Sequence, residues 1–306
     1  MIRRNVLIFH SGGLGDFVLT WPLGLALGRL HPQSRIIYIT QASKGELVAR
    51  AVRLDWQDAE TGWPALHGDV TNLSERCRKT LTEAHSIYTF LSAHGDEWFA
   101  NVAAIAPETA VTCLRSPPPA EFKGHAVENL LSQLAGAPAV KTAVEQILAS
   151  IAAKGVGNRK QLAGGPVIVH PGSGGREKCY PVEEFVRMIE KIKTDGKDLK
   201  VVLGEVELER FSASEVRQLE SVSPVVRPGK YVDLMELVSG SSGFIGNDSG
   251  PSHLAGILGV PTVGLFRTTN PMVWRPLGPR VEVVRGPILD VDEVFRALER
   301  VRVAGI

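Results

Sequence analysis

The sequence predicts an α/β fold of two Rossmann-like domains, each on a parallel sheet, facing one another across a cleft. Three observations lead there. Short apolar runs alternate with helix-length amphipathic segments along the chain, the signature of parallel strands joined by helical crossovers. The length of 306 residues fits two domains, at roughly 100–200 residues each. Near the middle, Gly155-Val-Gly-Asn-Arg-Lys-Gln-Leu-Ala-Gly-Gly165 is polar and glycine-rich, and a new apolar run starts directly after it, as at a linker. Domains over 1–155 and 165–306 follow, with the linker at about 155–165.

In the first half, the apolar run Val6–Phe9 reads as a buried strand. A helix follows, with Leu19, Leu23, Leu27 and Leu30 on one face. Pro22, early in that helix, should kink it or mark a displaced start. Arg35–Thr40 is a second strand, 46–52 a helix, and 87–91 and 110–114 later strands. Arg115-Ser-Pro-Pro-Pro119 breaks the pattern, and 126–134 resumes a helix with Val127, Leu130, Leu131 and Leu134 on one face. In the second half, 166–170 opens a new sheet. Pro181 suits the first position of a helix that turns Phe185, Met188, Ile189 and Ile192 inward. Strand 199–203, a helix near 207–219, strand 243–246, helix 253–258, strand 262–266 and a last helix over 291–301 complete the alternation.

Composition removes several function classes. Apolar residues are 44% and charged residues 22%, ordinary for a folded globular chain. A net charge of +1 gives no bulk attraction to nucleic acid. Cys77, Cys113 and Cys179 form neither a CxxC pair nor a metal-ligand cluster with histidine, and their odd number and wide spacing suit a reducing compartment. The apolar run near the N-terminus is too short for a signal-peptide core, and no stretch is long and apolar enough to span a bilayer. A cytoplasmic location follows, with any membrane contact peripheral.

Three loops could carry chemistry. In Phe244-Ile-Gly-Asn-Asp-Ser-Gly-Pro-Ser-His-Leu-Ala-Gly256 a strand runs into a small polar loop, and a helix opens at Pro251 or Ser252. Ligands of doubly wound sheets bind at the carboxyl ends of strands, and a helix start favours phosphate. Ser249 and Gly250 permit close backbone approach, His253 could bond a phosphate or ribose oxygen, and Asp248 could cap the helix or orient its neighbours; a capped helix without ligand has the same pattern. The second loop is His170-Pro-Gly-Ser-Gly-Gly-Arg-Glu-Lys-Cys-Tyr-Pro181. Its glycines allow tight turns beside an anion, Ser173 offers a hydroxyl, and Lys178 could neutralise a departing diphosphate; an ordinary surface turn looks much the same. The third is Ser11-Gly-Gly-Leu-Gly-Asp16. It lacks dinucleotide-fingerprint spacing. Asp16 reads first as a helix N-cap, and functionally as a general base. Glu207, after a strand, reads as surface or as a ribose contact. Arg267 and Asn270-Pro271 follow the strand at 262–266, Trp56, Trp63 and Trp98 read as core or cleft wall, and His94-Gly-Asp96 has no partner at metal-binding spacing.

With those residues in view, the chain resembles glycosyltransferase family 9, the heptosyltransferases of lipopolysaccharide core assembly. GGLGD with TWP at Gly12–Pro22, HAVENLLSQLAG at His125–Gly136, HPGSGGREKCYP at His170–Pro181 and GNDSGPSHLAGILGVPTVGLF at Gly246–Phe266 occur in the family's order and spacing. The resemblance implies a GT-B fold and an inverting transfer that needs no metal or other cofactor. It implies Asp16 as catalytic base and Lys178 as the lysine on the donor diphosphate. Ser173, Gly174, Glu207, Asp248, Ser249, Gly250 and His253 would hold the nucleotide sugar, and Gly12, Gly13 and Gly15 would form the acceptor-side loop. Gly174 departs from relatives that carry a second hydroxyl there. The implied donor is ADP-heptose and the implied acceptor a lipid-linked saccharide at the inner membrane face. The region 46–119, without an aligned motif, would shape the acceptor site. Two other readings share the architecture: a nucleotide-sugar epimerase, and a non-catalytic nucleotide-sugar-binding protein.

Overall fold

The computed structural model describes residues 4–156 and 165–303. The chain forms two compact units, the first of residues 1–12, 19–122 and 126–148, the second of residues 13–18, 123–125 and 149–306. Most of the expected linker, residues 157–164, lies outside the described residues.

In chain order the first half comprises β1 (Asn5–Phe9), α1 (Leu14–Leu19), α2 (Trp21–Leu30), β2 (Arg35–Thr40), α3 (Ala42–Val52), β3 (Asp55–Asp58), α4 (Glu75–Thr82), β4 (Ala84–Thr89), α5 (Glu97–Ile105), β5 (Ala110–Cys113), α6 (Ala126–Gln133) and α7 (Pro138–Lys154). Five parallel strands lie in the order β3-β2-β1-β4-β5. Leu7 and Phe9 of β1 and Ile37 and Ile39 of β2 share one buried core with Trp63 and Trp98. Both indoles meet the Phe9 ring edge-on, at 5.2 and 5.0 Å between centroids, so these tryptophans are core. Trp56, only partly buried, lies close over Gly45. Asp96 caps α5, accepting from the Phe99 N–H.

Pro22 marks a displaced start. The helix is two helices, with Pro22 in the first turn of α2, where its missing N–H costs nothing. The hydroxyl of Thr20, between them, meets Tyr38 Oη at 3.1 Å instead of capping α2. Leu19, Leu23 and Leu27 are buried as the periodicity predicts, whereas Leu30, in the last turn, is 37% exposed.

The second half comprises β6 (Val167–His170), α8 (Val182–Thr194), β7 (Leu199–Val202), α9 (Glu205–Arg210), α10 (Ala213–Val222), β8 (Val225–Val226), α11 (Tyr231–Ser239), β9 (Gly243–Asn247), α12 (Gly250–Ile257), β10 (Thr262–Phe266), α13 (Pro271–Trp274), β11 (Val281–Arg285) and α14 (Val291–Val303). Six parallel strands run β11-β10-β9-β6-β7-β8. Chain order reverses between β6 and β9, so that is where a crevice opens at the carboxyl ends of the strands. His170 pairs in register with Gly246, which places the loops after β6 and β9 side by side.

Phe185, Met188, Ile189 and Ile192 of α8 are fully buried, as predicted. Pro181 is the N-cap of α8 and not its first residue. The helix expected near 207–219 is two. Ser212 accepts from the Glu215 N–H while Glu215 reaches back to the Ser212 N–H, and this reciprocal cap starts α10 afresh.

Candidate active site

The GGLGD turn leaves the carboxyl end of β1, whose neighbours are β2 and β4. That is the point where strand order reverses in the first sheet. Asp16 is partly buried in the first turn of α1, not at its N-cap. A helix's positive end favours a carboxylate there, and the side chain lies back over Gly13. Residues 13–18 cluster with the second unit. There, Leu14 and Gly15 sit against the start of α12: a Cβ on Gly250 would fall 2.6 Å from Leu14 Cβ, and one on Gly15 would fall 3.1 Å from His253 Cδ2. Gly12 and Gly13 are exposed. The Gly12 carbonyl accepts a 2.6 Å hydrogen bond from Lys44 Nζ, a buried lysine that also reaches the Ser11 carbonyl at 3.4 Å.

Asp248 joins the other two loops. Ser173 Oγ donates to its carbonyl at 2.6 Å, and Lys178 Nζ lies 3.1 Å from its Oδ2. Asn247 Nδ2 adds a 2.6 Å bond to the Pro171 carbonyl. Asp248 therefore orients Lys178 and does not cap α12; the N-cap is Ser249, whose side chain makes no capping bond. The hydroxyl proton of Ser173 is committed within the protein, so toward a ligand its oxygen can only accept. Gly174 is exposed with open space where a side chain would stand, and its carbonyl accepts from Arg210 Nη1 at 2.5 Å.

Glu207 corrects the surface reading: it is buried. Its Oε2 takes the Gly204 N–H at 2.8 Å and lies 3.5 Å from His170 Nε2, and its side chain packs on Gly172. Burial opposes its ionisation, but His170 and the backbone N–H groups of Gly204 and Glu207 outweigh it and hold the carboxyl below its ordinary range. His253, buried in α12, has its Nε2 3.9 Å from Asp248 Oδ1, and its Nδ1 meets no hydrogen-bond partner among the described residues. Burial, opposed by Asp248, lowers its pKa to about 4, so it is neutral at pH 7 and offers hydrogen bonds, not charge. Burial and the carboxylates of Glu207 and Glu177 push the Cys179 thiol up to about 11, which leaves it inert. Arg267 Nη1 donates to the Cys179 carbonyl, and Asn270 caps α13. Among the described residues, no group of three or more His, Cys, Asp or Glu side chains is placed to hold a metal ion, and no helix is long and apolar enough to cross a membrane.

Residues 104–299 match the model of glycosyltransferase family 9 (heptosyltransferase). The chain belongs to glycosyltransferase family 9. Curated relatives include lipopolysaccharide heptosyltransferase 3 of Escherichia coli, 27% identical over 113 residues, and lipopolysaccharide heptosyltransferase 1 of Campylobacter coli, 29% identical over 108. These matches cover 36% and 34% of this chain, and the chain spans about a third of each relative, 33% and 32%. Among solved structures, E. coli ADP-heptose lps heptosyltransferase II superposes with a TM-score of 0.72 at 16% identity, covering 98% of both chains. E. coli heptosyltransferase WaaC with ADP gives 0.69 at 15% identity, covering 97% of this chain and 99% of that one. These likenesses establish the fold class read from the sequence, the two-sheet α/β GT-B fold of family 9.

The family 9 stretch 104–299 contains the loops after β6 and β9, whereas Asp16 lies outside it. Three side chains at these loops were not singled out from the sequence: His170, Arg210 and Lys44. Each acts on a residue distant in the chain, so spacing carries no signal for it. For His170 the signal that existed was its place as the last residue of the strand before a glycine loop.

Proposed function

We propose that this chain is an inverting glycosyltransferase that moves a heptose from ADP-heptose to a saccharide of the lipopolysaccharide-core type. One observation carries the reading: Ser173 and Lys178, both in the loop after β6, hold Asp248 in the loop after β9. One diphosphate can therefore be shared by the exposed glycine turn, the Lys178 ammonium and the first amides of α12. Structures of E. coli heptosyltransferase WaaC with ADP and with ADP-2-deoxy-2-fluoro heptose support the donor; the names of the curated relatives support the acceptor.

In this mechanism the acceptor hydroxyl oxygen attacks the anomeric carbon while the Asp16 carboxylate takes its proton. The bond from that carbon to the diphosphate oxygen breaks, and its electron pair leaves with the nucleoside diphosphate. Lys178 and the loop amides stabilise the charge as it develops, each contact worth on the order of 2–4 kcal/mol. Attack opposite the leaving group inverts the anomeric centre. No metal enters the scheme, so turnover should survive chelation by EDTA.

The test is transfer from ADP-heptose to a heptose-deficient core acceptor, read by mass spectrometry and by the anomeric coupling of the product. Asp16→Asn should cut turnover by about 10²–10⁴-fold, the usual contribution of a general base, and leave ADP affinity intact. Lys178→Ala should weaken both. A transfer rate unchanged in Asp16→Asn would remove Asp16 from the role of base.

A further inference from the structure

Arg210, the last residue of α9, holds the glycine turn after β6 by its carbonyls. Its Nη1 donates to the Gly174 carbonyl at 2.5 Å and lies 3.3 Å from that of Ser173. Both peptides are trans, and in a trans peptide the C=O and the N–H point in opposite directions. The N–H groups of Gly174 and Gly175 are therefore turned away from the guanidinium. Neither N–H has an acceptor among the described residues. Gly174 is exposed, Gly175 is only partly buried, and nothing lies within 4 Å of the Cβ position of Gly174. The Glu177 carboxylate lies over Gly175 without a hydrogen bond to the turn, and its side chain is exposed, so an incoming anion can displace it. The clamp is itself braced. Arg176 donates through Nη1 to the Arg210 carbonyl at 2.8 Å, and its Nη2 lies 3.0 Å from Glu215 Oε1. On the other flank, Ser173 Oγ is fixed on the Asp248 carbonyl.

We infer that Arg210 is a positioning residue: by holding the Ser173 and Gly174 carbonyls it presents the Gly174 and Gly175 amides to the diphosphate of the sugar nucleotide. The inference rests on the donor site proposed above. Two adjacent N–H groups suit an anion with more than one oxygen. A peptide whose carbonyl accepts from a cation is also polarised, which makes its own N–H the stronger donor. Arg210 therefore acts on the ligand through the turn, by aiming and sharpening donors that glycine leaves uncovered.

Two replacements of Arg210 separate this role from simple bracing of the loop. ADP binding is measured by calorimetry, with thermal melts to check folding, and the glycine amides are followed by NMR in ¹⁵N-labelled protein. Arg210→Met should weaken ADP about tenfold, the worth of one hydrogen bond. Arg210→Lys, whose ammonium can still reach the Gly174 carbonyl, should recover most of that loss. In the wild type, ADP should move the amide resonances of Gly174 and Gly175, and in Arg210→Met the displacement at saturating ADP should shrink. A residue that only braces the loop would lower the melting temperature and leave ADP affinity and those displacements as they are. Glycine amides that stay still as ADP binds, an Arg210→Met protein with wild-type affinity, or a lysine variant no tighter than the methionine one would overturn the inference and leave the nucleotide site standing. If Arg210→Met does not fold, the wild-type titration alone decides. A wild-type chain that binds none of ADP, UDP or GDP would instead overturn the nucleotide-site reading, and this inference with it.

Discussion

Lys178 and Asp248 are unequal partners, and the inequality sets what each substitution costs. The carboxylate side chain is 5% exposed and the ammonium 32%. Removing the carboxylate leaves a lysine that can swing into water. Removing the lysine strands a buried negative charge, the costlier outcome for any ion pair. Lys178→Ala should therefore lower stability by about 3 kcal/mol. Asp248→Asn, which keeps the shape of the side chain, should cost about 1 kcal/mol. Urea melts of both variants check the order, and Asp248→Asn proving the more damaging would contradict the geometry. In the proposed mechanism a diphosphate would meet the same ammonium from its exposed side, so the lysine's stability role and its proposed role at the leaving group share one geometry. Lys178 and Asp248 each stood out in the sequence as loop residues after a strand. Their pairing did not, because 70 residues separate them and only the β6–β9 register brings them together.

Among the elements, α1 and α12 meet through missing side chains. Gly250 opens α12 with Leu14 Cβ 2.6 Å and Gly15 N 3.1 Å from where its own Cβ would stand. Neither neighbour is the end of a flexible chain, so Gly250→Ala must push the two helices apart. A loss of about 2 kcal/mol is expected, together with lower transfer activity, because Asp16 rides on α1. Gly174→Ala is the control: nothing lies within 4 Å of its Cβ position, and its stability should change by no more than about 0.5 kcal/mol. Thermal melts of the pair test this, and equal losses would place the α1–α12 contact in doubt. The strands with unbroken apolar runs, β1, β2, β6, β9 and β10, were legible because burial on both faces leaves no polar alternation to confuse the reading. The long α7 escaped notice since its alanine-rich sequence shows little contrast between faces. β3 and β11 were missed for the converse reason: they are edge strands whose half-exposed residues, Asp55–Asp58 and Val281–Arg285, carry charges.

For the molecule as a whole, acid is the condition that the burial pattern singles out. Each unit holds a buried histidine with a depressed pKa: His10 in the first, lowered to about 3 by burial and by the charge of Lys44, and His253 in the second, lowered to about 4. Unfolded, both return to about 6.5. The folded state then binds fewer protons than the unfolded state between these values. Stability is fully present above pH 6.5 and is lost as pH falls toward 4, each histidine contributing about 1.4 kcal/mol per pH unit. Together they should remove several kcal/mol between pH 6.5 and 4, the upper part of that window, down to about pH 5.5, lying above the carboxylate range. Glu207, whose pKa is also lowered, adds its own loss only below its unfolded value, in the carboxylate range. The histidine loss therefore starts at higher pH than that of Glu207, and the two overlap only in the carboxylate range. Urea unfolding from pH 7.5 to 4.5 should show a falling midpoint that starts near pH 6.5, and His253→Gln should shallow that fall. A midpoint flat down to pH 5 would mean that these imidazoles reach water or a proton acceptor in the folded chain. If the proposed donor site is right, ADP should oppose the fall as well, because a diphosphate near His253 would favour its protonated form. The wild-type protein should thus lose less stability in acid with nucleotide present than without, by more than the fixed increment that mass action gives at neutral pH.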